Sequence, residues 1–142
     1  MESKITMEEL RFLSVFQELT GVIAYRCFID EDGNRLIYLV NNSEVGKAVG
    51  RNGKNVKFLA RILKRTIEVV GYSQDIEEMT RNLFPGIRVQ GVTVSERGGE
   101  KAVYVKVVEE DKGKAIGKDG RNVKRARLVL ERLFGVKKVV IR

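Results

Sequence analysis

GKAVGRNGKNVK, residues 46–57, returns as GKAIGKDGRNVK at residues 113–124. At this fixed offset of 67, 8 of the 12 positions are identical. The other four are mild exchanges: Val49/Ile116, Arg51/Lys118, Asn52/Asp119 and Lys54/Arg121. Each copy centres on Gly-x-x-Gly, with a basic residue inside it and a helix-forming run behind it. Glycine at both ends of a four-residue loop lets the backbone turn sharply between two helices. It also lets another backbone approach without meeting a Cβ. The helix that follows aims unpaired N–H groups and the positive end of its dipole at the loop. A single such loop reads equally well as a tight helix–helix turn. Two matched copies in matched surroundings favour an anion-binding loop used twice.

Composition and charge narrow the partner. With 142 residues, 43% hydrophobic content and 1 Pro, the chain reads as folded rather than disordered. The 67-residue period divides it into two small domains, expected over 1–72 and 73–142. The formal charge of +8 is unevenly spread: residues 44–65 and 112–132 each carry +6, while residues 66–111 carry −4. Cations concentrated on the two repeats point to nucleic acid or an anionic membrane surface, and no helix joins a basic stripe to the exposed Trp or Phe that a membrane surface calls for. The lone Cys27 forms no internal disulfide and lies in an apolar strand. No apolar leader opens the chain and no apolar run is long enough to span a bilayer, so a cytoplasmic location is expected, with no membrane partner.

The same order of elements is legible twice. Thr6-Met7-Glu8-Glu9 has capping-box form, and Leu10, Leu13, Val15, Phe16 and Leu19 follow at helical spacing up to Gly21. Strands are predicted over Ile23–Ile29 and Leu36–Val40 around the turn Asp32-Gly33-Asn34. Ser43 is the expected cap of a short helix reaching Val49. A helix from Lys54 to Lys64 and a strand from Ile67 to Val70 close the unit. Gly71–Gln74 is a short linker. The second unit starts on a helix capped by Asp75, with Ile76, Met79 and Leu83 on one face, and Pro85-Gly86 ends it. Strands follow over Ile87–Val94 and Ala102–Val108 around Arg97-Gly98-Gly99. The second loop, a helix over Arg121–Phe134 and a strand over Lys138–Ile141 complete it. Both units read α-β-β-α-loop-α-β. Phe12, Phe16, Phe28 and Phe134 fall in apolar patterns and are expected in the core, so aromatic base stacking is not the expected mode.

The segments Val49-Gly50-Arg51-Asn52-Gly53-Lys54-Asn55-Val56 and Ile116-Gly117-Lys118-Asp119-Gly120-Arg121-Asn122-Val123 resemble the (Val/Ile)-Gly-x-x-Gly-x-x-(Val/Ile) motif of KH domains. The element order resembles the type II arrangement, and the tandem pair resembles the archaeal NusA-like family. The resemblance covers about residues 5–142. It implies an α+β fold in which each unit packs a three-stranded mixed sheet against helices. It also implies that each module clamps about four nucleotides of single-stranded RNA. Gly50, Arg51, Asn52 and Gly53, flanked by Lys47, Lys54 and Lys57, would hold one stretch of sugar-phosphate. Gly117, Lys118, Asp119 and Gly120, flanked by Lys114, Arg121 and Lys124, would hold another. Arg61 and Arg125 extend these basic faces, while Val56 and Val123 belong either to the base-facing floor or to the core. Asp119 is expected to weaken the second site or to turn to solvent. The implied role is a non-enzymatic transcription elongation or termination factor on nascent RNA, with RNA polymerase as a further partner and a monomer as the favoured state.

Other classes fare less well. There is no His, so the commonest general base and metal ligand is missing. Gly53-Lys54 and Gly117-Lys118 echo the end of a P-loop. However, Ala48 and Lys112 stand where its first Gly belongs, and Asn55 and Asp119 stand where its magnesium-holding Ser/Thr belongs. The acidic runs Asp30-Glu31-Asp32 and Glu109-Glu110-Asp111 read as solvated carboxylates at a turn and a helix start, so no metal and no cofactor are expected. Ribosome assembly is the main alternative role for KH modules. A protein-interaction scaffold with degenerate grooves is the other, disfavoured by the intact glycines and cations of both loops.

Overall fold

The computed structural model describes residues 2–142. It divides into two compact units, one over Lys4–Ser73 and one over Gln74–Arg142 that also takes in Glu2 and Ser3. The first unit consists of α1 (Met7–Thr20), β1 (Ala24–Asp30), β2 (Arg35–Asn41), α2 (Val45–Val49), α3 (Lys54–Leu63) and β3 (Thr66–Tyr72). The second consists of α4 (Ile76–Asn82), β4 (Val89–Arg97), β5 (Glu100–Val107), α5 (Lys112–Ile116), α6 (Arg121–Phe134) and β6 (Val136–Ile141).

Each unit builds one three-stranded sheet, ordered β1-β2-β3 and β4-β5-β6. The first two strands form an antiparallel hairpin, and the third returns parallel to the second. A parallel return needs a crossover, and here the two helices with the Gly-x-x-Gly loop between them supply it. The loop therefore sits at the turning point of the crossover, held by a strand at either end. Both hairpins slip register at the same place, between Ala24 and Arg26 opposite Val40, and between Val89 and Gly91 opposite Val107. Val40 and Val107 are again 67 residues apart, so the duplication extends well beyond the loops.

The core of the first unit gathers Phe16, Val22, Cys27, Leu36, Tyr38, Val40, Ala48, Leu59 and Ile67. The Phe16 and Tyr38 rings stack with centroids 4.1 Å apart, and the Tyr38 hydroxyl donates to the Phe12 carbonyl at 2.9 Å. Phe28 is buried, and Phe12 packs half-buried on the core edge. In the second unit Met79, Leu83, Val103, Val105, Ala126, Val129, Leu130 and Val136 are buried, and Phe134 is half-buried.

Several local readings are refined. Thr6 does cap α1, accepting from the Glu9 N–H at 3.1 Å. The Glu9 carboxylate turns inward instead of closing the box. It accepts from Arg26 Nε at 2.7 Å, Arg26 Nη2 at 2.9 Å and the Cys27 N–H at 2.9 Å. Ser43 is not the cap of the α2 region. A 3-10 turn over Asn42–Glu44 comes first, and Asn41 caps it by accepting from the Ser43 N–H at 3.0 Å. The hairpin of the second unit is longer than predicted: β4 begins at Val89 rather than Ile87 and runs to Arg97. Gly98 and Gly99 both have positive φ (57° and 81°), and that two-residue turn keeps Arg97 and Glu100 paired. Among the described residues the acidic runs serve local ties. Asp30 bonds Arg35 at 3.0 Å, Asp111 accepts from the Arg88 N–H at 2.8 Å and its Nε at 3.1 Å, and Glu109 pairs with Lys112 at 2.9 Å.

Removing one partner of a buried, hydrogen-bonded ion pair strands the other charge. Glu9→Ala should therefore cost about 3–5 kcal/mol of unfolding free energy, read by urea denaturation; a loss below about 1 kcal/mol would show that the pair behaves as a surface contact. Burial pushes the Cys27 thiol up to about 12. At pH 8 it stays protonated, so an aromatic disulfide reagent should modify it only after denaturant is added. The same shift predicts stability that is complete below the thiol's ordinary range and declines as pH climbs toward 12.

Candidate nucleic-acid interface

The two loops have one backbone conformation. Gly50 and Gly117 lie at φ 82°, ψ 165° and φ 78°, ψ 166°, a region essentially restricted to glycine. Asn52 and Asp119 follow at φ 55°, ψ 28° and φ 58°, ψ 27°. Gly53 and Gly120 both stand at φ 73°, ψ 18°. The role of Asp119 follows from this geometry. Its position demands the left-handed region, where Asn and Asp are the most tolerated residues after Gly. The Asn/Asp exchange therefore satisfies the backbone, and the Asp119 side chain is exposed.

The first and second glycines are needed for different reasons. A Cβ on Gly50 would stand 2.9 Å from the Asn55 backbone nitrogen and 2.9 Å from its Cγ. On Gly117 it would meet Asn122 Nδ2 at 2.9 Å and the Asn122 backbone nitrogen at 3.0 Å. On Gly53 and Gly120 it would meet only lysine side-chain and valine methyl carbons, at 3.6 Å or more. The asparagines that press on the first glycines also tie the crossover helices together. Asn55 Nδ2 donates to the Lys47 carbonyl at 3.3 Å, and Asn122 Nδ2 donates to the Lys114 carbonyl at 2.8 Å. Sequence reasoning assigned no role to these asparagines, although both are among the identical positions of the repeat.

Donors and charge converge on the loops. The Gly53 and Gly120 N–H groups are used within the turn, bonding the Gly50 and Gly117 carbonyls at 3.0 Å each. The N–H groups of Arg51, Asn52, Lys118 and Asp119 have no backbone acceptor among the described residues. The side chains of Lys47, Arg51, Lys54 and Lys57, and of Lys114, Lys118, Arg121 and Lys124, are exposed. None of these eight is held in an ion pair among the described residues. Arg61 is exposed on the same helix as Lys57. Arg125 departs from the expected basic face: it is buried, and its Nη2 donates to the Leu83 carbonyl. It braces α6 against the end of α4.

Beside the first loop a groove of about 460 Å³ runs between α3 and β3. Val56, Lys57 and Ala60 line its helix side, Thr66 and Ile67 its strand side, and Asn34, Lys64 and Arg65 one end. Val56 lines the groove and also packs against the core. Val123 is likewise half-buried at the matching position. Of the groove residues, Asn34, Ala60, Lys64, Arg65, Thr66 and Ile67 lie outside the repeat. They come together only because β3 returns parallel under α3.

An α-β-β-α-α-β unit with Gly-x-x-Gly between its crossover helices is a type II KH domain, and the chain carries two. Family models agree: a KH domain matches residues 13–97 and a NusA-like second KH domain matches residues 76–139. The chain is 34% identical to the probable transcription termination protein NusA of Halobacterium salinarum, covering 96% of either chain. It is 29% identical to the protein of the same name from Methanococcus vannielii, over 99% of this chain and 80% of that one. The crystal structure of APE1850 superposes with a TM-score of 0.93 at 59% identity, covering 97% of this chain and 100% of that one. The chain belongs to the NusA-like family of tandem KH-domain proteins.

The unequal surroundings of the glycines make a prediction. In urea denaturation Gly53→Ala should lose about 1–2 kcal/mol, the cost of a left-handed alanine. Gly50→Ala should lose more, because its Cβ also collides with the Asn55 backbone. Equal losses would show that α3 moves aside freely and that the close approach constrains nothing.

Proposed function

We propose that this protein binds single-stranded RNA through both Gly-x-x-Gly loops and acts, without catalysis, as a transcription termination or elongation factor of the NusA kind. The observation that carries the RNA reading is the pair of loops with one backbone conformation. Each offers two N–H groups without a backbone acceptor and four exposed cations around the loop with no ion pair among the described residues. Phosphates would sit over Arg51-Asn52 and Lys118-Asp119, held by the backbone N–H groups and by the surrounding lysines and arginines. Bases would turn toward the groove beside α3, where Val56, Ala60 and Ile67 offer an apolar wall. Such a site holds a strand in place and has no group poised for bond cleavage. The transcription role is supported by the names of the archaeal relatives that match along most of their length. Contact with RNA polymerase belongs to the same proposal; copurification with polymerase rather than with pre-ribosomal particles would support it.

The RNA site is tested with a randomised single-stranded RNA pool at two salt concentrations, comparing wild type with Arg51→Asp plus Lys118→Asp. Wild-type binding should weaken with salt. The slope of log K against log salt should shrink by about 0.7 for each phosphate that the variant no longer neutralises. Equal binding by two folded proteins would refute the loops as the RNA site.

A further inference from the structure

The loops are matched, but the walls beside them are not. α3 and α6 leave the same loop conformation, so their residues correspond position by position from Lys54 and Arg121 onward. Val56 and Lys57 match Val123 and Lys124. The small Ala60, which opens the first groove, matches Arg127, and Lys64 matches Glu131. Helix length sharpens the difference. α3 ends at Leu63, and Lys64 swings into the left-handed region (φ 57°). α6 continues to Phe134, so Glu131 remains helical one turn beyond Arg127. There the two pair, Arg127 Nη1 to Glu131 Oε2 at 3.7 Å, with side chains 49% and 37% exposed. A long, half-open contact of this kind contributes little to stability and is readily exchanged for other partners.

We infer that the Arg127–Glu131 pair is a base-selecting element of the second module, favouring guanine or cytosine over adenine or uracil at one position of the bound strand. The inference rests on the RNA-binding reading above. The pair presents donors at one end and acceptors at the other. Cytosine's Watson–Crick edge has two adjacent acceptors, O2 and N3, followed by the N4 amine donor. Arg127 can donate to the first two while Glu131 accepts from the third. Guanine has the O6 acceptor followed by two donors, N1–H and N2–H₂, which Glu131 can accept together while Arg127 donates to O6. Uracil alternates acceptor, donor, acceptor, and adenine offers only one of each, so neither satisfies both side chains fully. Fork-shaped contacts of arginine and carboxylate to base edges are the strongest discriminators available to side chains. The first groove, with Ala60 and Lys64, has donors but no carboxylate there. It selects by fit and charge.

The test sequences the RNAs retained from a randomised single-stranded pool by the full chain. It compares wild type, Arg127→Ala and Glu131→Ala, each checked for a native unfolding transition. Wild type should show one position enriched in guanine or cytosine by about tenfold. Either variant should retain the pool through the two loops but lose that enrichment. Retention without an enriched position in wild type, or enrichment that survives either substitution, would overturn the inference while leaving RNA binding intact. No retention by wild type would overturn both it and the RNA-binding reading.

Discussion

The close approach of Asn55 to Gly50, and of Asn122 to Gly117, is the contact on which each module turns. The asparagine occupies the space a Cβ would need, and its amide reaches back to the carbonyl of Lys47 or Lys114. One side chain thereby fixes the angle between the two crossover helices. That angle decides where the loop's free N–H groups point and how far α3 or α6 stands from the returning strand. The groove, the cationic rim and the strand it borders all follow from a separation that admits only glycine. The loop backbone is the same in both copies, and its exposed residues differ only within what that backbone allows. Arg51/Lys118 and Asn52/Asp119 vary in this way, while Asn55/Asn122 and the loop glycines are the same in both copies.

Around this shared centre the modules have diverged where packing allowed. The first unit has a 14-residue α1 and a 10-residue α3; the second has a 7-residue α4 and a 14-residue α6. Phe58, exposed on α3, is replaced by Arg125, which is buried and bonded to the end of α4. Asn34 and Lys101, again 67 residues apart, both cap the C-terminal end of the crossover helix. Asn34 donates to the Lys64 carbonyl at 3.3 Å and Lys101 to the Phe134 carbonyl at 3.1 Å. An amide and an ammonium thus do the same work, because the orphan carbonyls at a helix end require only a donor.

Much of the architecture was legible because the decisive signals are local and repeated. The bounds of α6 were readable from Gly120, Gly135 and the apolar spacing between them. β4 was read short because Ser95, Glu96 and Arg97 look like loop residues. They pair across a two-residue turn that periodicity does not detect. Glu9 and Arg125 were misplaced for the opposite reason. Each sits in a sequence pattern typical of the surface, and each finds a buried partner on an element distant in the chain, Arg26 and Leu83. The site divides the same way. Glycines, loop cations and neighbouring lysines are contiguous in sequence and were all identifiable. Asn34, Ala60, Thr66 and Ile67 enter the groove only through the parallel pairing of β2 with β3.

The ionic contacts of the first unit bear on its behaviour with temperature. Glu9–Arg26 is buried, and Arg35 bonds both Asp30 at 3.0 Å and Glu68 at 2.6 Å. At room temperature much of the attraction in such groups is offset by the cost of removing charges from water. That cost falls on heating, because hydration of charge becomes less favourable as temperature rises, while stabilisation by apolar burial levels off. The first unit therefore draws a growing share of its cohesion from charge as it warms. Its stability curve should be flatter at the hot end than a core of this size would give alone.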